Sequence, residues 1–158
     1  MRVALGADHA GVALKSYVKQ FLTERQLTYQ DFGSESNESV DYPDFALSVA
    51  NSVASGSTDR GILICGSGIG MAIVANKVQG IRAAPVTTTD LARMVRQHND
   101  ANVLTLGARA LTAGDALKIV EVFLATPFDG GRHQRRVDKI TAVEMKPLVS
   151  NHDIEGTE

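Results

Sequence analysis

The sequence predicts an α/β fold in which a five-stranded parallel sheet is covered by helices on both faces. Three observations carry that reading. Short apolar runs alternate along the chain with stretches of helical period, which is the order of βαβ units. Helix-start signals fall ahead of several of those stretches: Pro43, Thr87-x-x-Asp90 and Thr112-x-x-Asp115. The chain has 158 residues, 44% of them apolar, which suits one domain with a real core.

In chain order, Val3–Gly6 is the first strand, and Ala10–Glu24 follows as a helix with apolar residues at 10, 13/14, 17/18 and 21/22. Leu27–Asp31 is a weaker strand, and Gly33–Ser39 is a polar loop. Pro43 sits in the first turn of a helix whose apolar positions are 46, 49, 50 and 53. Gly61–Ile64 is a buried strand, followed by a helix-compatible Met71–Lys77. Ile81–Pro85 is a fourth strand, ended by proline. Thr87 then caps a helix that places Leu91, Met94, Val95 and His98 on one face. Val103–Leu106 is the fifth strand, and Thr112 caps a helix carrying Ala116, Ile119, Val120 and Phe123. Gly130-Gly131 breaks this rhythm before a last helix from about Arg132 to Met145.

The totals exclude several classes. Net charge is −2, which gives no global case for binding nucleic acid or a membrane surface. A single cysteine rules out an internal disulfide framework and fits a reducing compartment. No apolar run approaches the roughly 18 residues of a membrane span, and the N-terminus lacks a basic region or cleavage site, so the expected location is cytoplasmic. There is no internal repeat and no dividing linker. Residues 1–146 are expected to form a single domain, and the polar 147–158 tail is expected to be mobile.

The chemistry concentrates at Ile62–Gly70. An apolar strand ends in Cys65, and the alternating Gly66, Gly68 and Gly70 follow, with Ser67 and Ile69 between them. Glycines let backbone N–H groups converge on an anion, and a helix start adds positive potential that favours a thiolate. The loop therefore offers a base or nucleophile, a hydroxyl and an oxyanion hole. It is not a dinucleotide fingerprint, lacks the Gly-Lys-Ser/Thr ending of a nucleotide P-loop, and has Met71 where a cysteine phosphatase needs arginine. The structural alternative for Cys65 is a small core residue.

Parallel sheets bind ligands beyond the carboxyl ends of their strands, so Asp8 and His9, after the first strand, are expected to share a crevice with the Cys65 loop. Structurally, Asp8 could instead cap the first helix and His9 could be a solvated loop residue. His98 and Asn99 lie at a helix end ahead of a strand, which is the opposite edge of the sheet. They are either structural, as a helix-terminal cation and a C-cap, or they serve a second subunit's crevice. Arg132 and Arg136 are i,i+4 neighbours suited to clamping a phosphate, or else a solvated basic face, and Arg109 is a further phosphate candidate.

Taken together, Gly6–Gly11, Asp41-Tyr42-Pro43, Ile62–Gly70, Ala75-Asn76-Lys77 with Gly80–Ala83, Arg96–Leu104 and Gly130–Arg136 resemble the ribose/galactose phosphate isomerase family, type B branch, over about residues 1–145. The resemblance implies a Rossmann-like three-layer α/β/α sandwich with a C-terminal helix. It also implies an aldose–ketose isomerase of the non-oxidative pentose phosphate route, without metal or cofactor, with sites shared across a homodimer or tetramer. The substrate class is a sugar phosphate, D-ribose 5-phosphate and D-ribulose 5-phosphate, with hexose 6-phosphates or a non-catalytic binding module as alternatives.

One branch of the family uses a cysteine base and another a glutamate; Cys65 places this chain with the former, and Ser67 stands where many members have threonine. The resemblance assigns Cys65 to proton transfer, Ser67 to moving protons between O1 and O2, and His98, assisted by Asp8, to ring opening. Tyr42 and Asn99 would hold hydroxyls, the Gly66–Gly70 amides the oxyanion, and His9, Arg109, Arg132 and Arg136 the phosphate. His133 is a neighbour without an assigned role.

Overall fold

The computed structural model describes residues 1–145; the expected boundary at 146 and the expected tail at 147–158 lie outside the described residues. The elements run β1 (Arg2–Ala7), α1 (Val12–Glu24), β2 (Thr28–Asp31), α2 (Tyr42–Ala54), β3 (Arg60–Cys65), α3 (Ile69–Ala75), β4 (Ala83–Pro85), α4 (Thr89–Asn99), β5 (Val103–Gly107), α5 (Ala113–Ala125) and α6 (Arg132–Glu144). The strands form one sheet in the order β2-β1-β3-β5-β4, and every neighbouring pair is parallel.

Alternation along the central strands builds two cores, because successive side chains leave a strand on opposite faces. Val3, Leu5, Ile62, Ile64, Leu104 and Leu106 face one way and pack with Val18, Leu22, Ile119 and Phe123 of α1 and α5. Ala4, Leu63, Cys65 and Val103 face the other way and pack with Val49, Ala50, Met71 and Ala75 of α2 and α3. The result is the expected Rossmann-like α/β/α sandwich with a C-terminal helix.

Several local expectations need correction. The cap of α4 is Thr88, whose hydroxyl accepts the Leu91 N–H at 3.2 Å, because the helix begins one residue later than Thr87 would set it. Its buried side is Ala92 and Arg96, so Leu91 and Met94 face outward at 41% and 48% exposure. The long aliphatic stem of Arg96 fills the place an apolar residue was expected to take. The fourth strand is only Ala83–Pro85. Ahead of it, the Asn102 carboxamide takes the Arg82 N–H at 2.8 Å while the Arg82 carbonyl accepts the Asn102 N–H at 3.1 Å, so a side chain replaces one partner of the ladder there. The cap at Thr112 is as expected, accepting the Asp115 N–H at 3.1 Å.

Candidate active site

The strand order turns back on itself on either side of β1 and β3, which is where doubly wound sheets open a crevice. The loop after β1 is tied to the end of β3, the Asp8 N–H donating to the Ile64 carbonyl at 3.1 Å. Between them lies a cavity of about 1020 Å³ whose walls include Asp8, His9, Tyr42, Cys65, Gly66, Ser67, Ile69, Gly70 and Arg109. All nine were expected from the sequence. Gly68 is the loop residue that turns inward.

Gly68 sets the loop's shape. Its φ is +79°, a region that side-chain-bearing residues rarely adopt, and a Cβ there would lie 2.9 Å from the Leu106 carbonyl carbon. In that conformation its N–H donates to Cys65 Sγ at 3.1 Å. The Ile69 N–H donates to Ser67 Oγ at 3.3 Å. Two of the loop amides are thus engaged with side chains of the same loop, so the anion-binding amides are fewer than the glycine pattern suggests. Cys65 is 5% exposed, at the boundary between the core under α2 and α3 and the crevice floor. The helix begins at Ile69, earlier than Met71, so Ile69 and Gly70 form its first turn.

Close backbone approaches seat the walls. A Cβ on Gly70 would lie 2.7 Å from the Tyr42 ring, so the phenol rests against bare backbone. A Cβ on Gly66 would come within 3.2 Å of the Arg109 guanidinium, which therefore lies across the start of the loop. Asp8 is not the N-cap of α1, a place taken by Gly11. Its Oδ1 instead accepts the N–H groups of Ala10 and Gly11 at 2.9 and 3.2 Å, closing the turn that presents His9. His9 Nδ1 accepts the Val40 N–H at 3.3 Å, tying the first loop to the segment ahead of Tyr42.

That segment is held from below. The buried Lys15 ammonium donates to Asp31 Oδ1 at 2.8 Å and to the Ser34 carbonyl at 2.9 Å, and Lys19 completes the pair with Asp31. Burial pushes the Asp31 carboxyl up, but hydrogen bonds from Lys15, the Gly33 backbone and Lys19 outweigh it and hold the group below its ordinary value.

The structure does not bring His98, Asn99, Arg132 or Arg136 to this crevice. They lie where α4 ends and α6 begins, at the amino edge of the sheet. The C-cap of α4 is Asp100 at φ +46°, not Asn99, which is the last helical residue and borders a different cavity. A network fixes this corner. The buried Arg96 donates to Asp100 Oδ1 at 2.7 Å and to the Ala101 carbonyl at 2.6 Å, and Arg82 reaches Asp100 from the other side at 2.9 Å. Just beyond, His98 and His133 stack with ring centroids 4.4 Å apart and planes 7° from parallel.

The fold and the sequence have counterparts among known proteins. The family model described as Ribose/Galactose Isomerase matches residues 3–140. This chain belongs to the ribose/galactose isomerase family. A relative in Escherichia coli (strain K12), named ribose-5-phosphate isomerase B, is 46% identical over 145 residues, 92% of this chain and 97% of that protein. The solved structure of Clostridium thermocellum ribose-5-phosphate isomerase B matches with a TM-score of 0.91 and 52% identity, covering 92% of this chain and 98% of that one. That of Mycoplasma genitalium ribose-5-phosphate isomerase B, solved with bound ribulose-5-phosphate, has a TM-score of 0.89 and 43% identity, covering 92% and 97%.

For this member of the ribose/galactose isomerase family, sequence reasoning missed Ala10, Ile73, Pro85, Thr87 and Ala110, which also line the crevice. Four of them carry no reactive group, and Thr87 reads in the sequence only as a helix cap; their neighbours in the fold bring them there. Among the described residues, His98, Asp129 and His133 offer metal-ligand atoms within 4.8 Å of one another. Imidazole lone pairs lie in the ring planes, and two nearly parallel planes have no common point for an ion, so the set as arranged does not fit a metal. No described helix is long and apolar enough to cross a membrane.

Proposed function

We propose that this chain interconverts D-ribose 5-phosphate and D-ribulose 5-phosphate through a cis-enediolate, with Cys65 as the base. The observation that carries the reading is the placement of Cys65 Sγ on the crevice floor with the Gly68 N–H aimed at it. That hydrogen bond fixes the sulfur at the floor of the crevice. Two of the related proteins named above are called ribose-5-phosphate isomerase B and a third of that name was solved with the ketose product bound.

The sugar first opens. His98 takes the proton of the anomeric hydroxyl and returns it to the ring oxygen as the bond from C1 to that oxygen breaks. Asp8 assists through the carboxylate oxygen that the Ala10 and Gly11 amides leave free. Cys65 then removes the C2 proton and delivers it to C1, while the Ser67 hydroxyl moves protons between O1 and O2. Loop amides facing the crevice hold the oxyanion of the enediolate, each such donor being worth roughly 3–4 kcal/mol in other enzymes. Tyr42 and Asn99 hold hydroxyls. His9, Arg109, Arg132 and Arg136 hold the phosphate, whose binding energy orients carbons far from it.

This mechanism joins two groups that one chain keeps apart, so the working unit is a homodimer, or a tetramer of such pairs, in which a second copy lays its α4–α6 corner over the crevice. The outward apolar side chains Ile69, Ile73, Leu91 and Met94 supply surface that such a contact would bury. Residues 1–146 are the catalytic domain, the 147–158 tail lies beyond it, and the protein works in the cytoplasm without metal or cofactor.

The deciding experiment is an isomerisation assay on ribose 5-phosphate beside allose 6-phosphate and galactose 6-phosphate, with EDTA present. Far higher kcat/KM on the pentose phosphate is expected. Turnover of a hexose phosphate alone would keep the mechanism and change the substrate. Inactivity on all three would leave a sugar-phosphate-binding module. Arg136→Ala should raise KM by roughly 10- to 100-fold, the value of one charge-assisted hydrogen bond, with kcat changed much less; an unaltered KM removes Arg136 from the phosphate clamp.

A further inference from the structure

His133 belongs to no step above, yet it is the most deliberately placed residue of the α4–α6 corner. It is 7% exposed although it lies in the first turn of a helix whose neighbouring positions, Arg132, Gln134, Arg135 and Arg136, are all exposed. Its ring lies flat on that of His98, 4.4 Å between centroids and 7° from parallel. Its backbone is anchored by its N–H to the Gly130 carbonyl at 3.0 Å, and the preceding connection is tied to α4 by the Asp129 N–H to the Gln97 carbonyl at 3.2 Å. The stack is therefore clamped from both helices. Arg132 Nε approaches His133 Nε2 at 3.4 Å, which makes that nitrogen an acceptor.

We propose that His133 is the positioning residue for ring opening: its face fixes the plane of the His98 imidazole and supports the imidazolium that His98 becomes while it carries the proton between the two sugar oxygens. This rests on the reading of His98 as the ring-opening group. A face of π density stabilises a cation lying over it, provided the face itself stays uncharged. Burial lowers the pKa of His133, as do the charge of His98 and the guanidinium groups of Arg132 and Arg136, against a smaller opposing effect of Asp129, and each of these favours the neutral ring. Two face-to-face imidazoliums would repel, so a partner that remains neutral is what this arrangement requires. His133 exchanges no proton with the sugar. Its effect passes entirely through His98.

The test separates ring opening from enolisation. D-Ribose 5-phosphate is a furanose and must be opened. D-Ribulose 5-phosphate has its C5 oxygen esterified, cannot close the corresponding ring, and enters the reaction open. For His133→Ala, turnover of ribose 5-phosphate should fall by about 10- to 100-fold, the range expected for a misplaced reacting group. Exchange of the C1 proton of ribulose 5-phosphate with solvent deuterium should stay within about twofold of the parent, because that step uses the Cys65 loop and not His98. His133→Phe, which retains a flat face and no titratable nitrogen, should recover most of the lost turnover. Parent-like turnover in His133→Ala overturns the proposal. So does an equal loss in both assays, which would mean general disorder of the site. Failure of phenylalanine to rescue would show that an imidazole nitrogen is itself required. A parent enzyme inactive on both sugars would overturn the substrate reading and this one together, whereas activity with no effect at position 133 overturns this one only.

Discussion

Replacing Cys65 with alanine is expected to lower kcat on ribose 5-phosphate by roughly 10²–10⁴, leaving KM close to that of the parent. The split follows from position. Sγ sits on the crevice floor, whereas the groups assigned to the phosphate and hydroxyls (His9, Tyr42, Arg109) stand on its walls and make no use of the sulfur. The substitution is also mild for the fold. Cys65 contributes one sulfur to the core under α2 and α3, and losing it should cost about 1 kcal/mol against a total stability of roughly 5–15 kcal/mol. A thermal melt of the variant within a few degrees of the parent, measured beside the kinetics, would assign the loss to chemistry. A kcat within tenfold of the parent, in a folded variant, would remove Cys65 from the role of base. Exchange of the substrate proton with solvent should disappear along with turnover, since both begin with the same proton abstraction.

The second large effect is a recovery. Cys65→Ala and His98→Ala should each be nearly inactive on ribose 5-phosphate, and a mixture unfolded and refolded together should regain about one quarter of parent activity. The fraction is a consequence of twofold symmetry. Random pairing makes about half of the dimers mixed, and in each mixed dimer one of the two sites receives intact Cys65 from one chain and intact His98 from the other. The physical basis is the sheet itself. Cys65 ends β3, and His98 precedes β5, which pairs parallel with β3, so one chain presents the two at opposite edges. No side-chain rotation spans a strand's length. Mixed dimers demonstrated by mass spectrometry but without regained activity would show that the two residues do not share a site across subunits.

Different parts of this molecule were legible in its sequence to different degrees. The meeting of Asp8 and His9 with the Cys65 loop in one crevice followed from pattern, because a parallel sheet obliges every strand to deliver its following loop to one edge. The Thr112 cap followed for a local reason: one hydroxyl and the amide three residues on suffice to form it. The face of α4 did not follow. Leu91 and Met94 have helical spacing, yet the helix turns Ala92 and Arg96 inward, since the α4–β5 corner is held by the guanidinium of Arg96 on Asp100 and Ala101. Apolar spacing states that a face will be buried without stating against what.

The sequence alone determined the layered α/β class, the glycine-rich Cys65 loop and the separation of Cys65 from His98, because hydrophobic period, glycine placement and chain direction are local properties. Tertiary structure decided the strand order β2-β1-β3-β5-β4 and the direction of the Gly68 N–H toward sulfur. It also decided the stacking of His133 on His98. The strand order and the ring stack depend on packing between segments far apart in the chain, and the Gly68 turn, though local, is pressed against the backbone of Leu106 and Gly107; no local pattern encodes those energies.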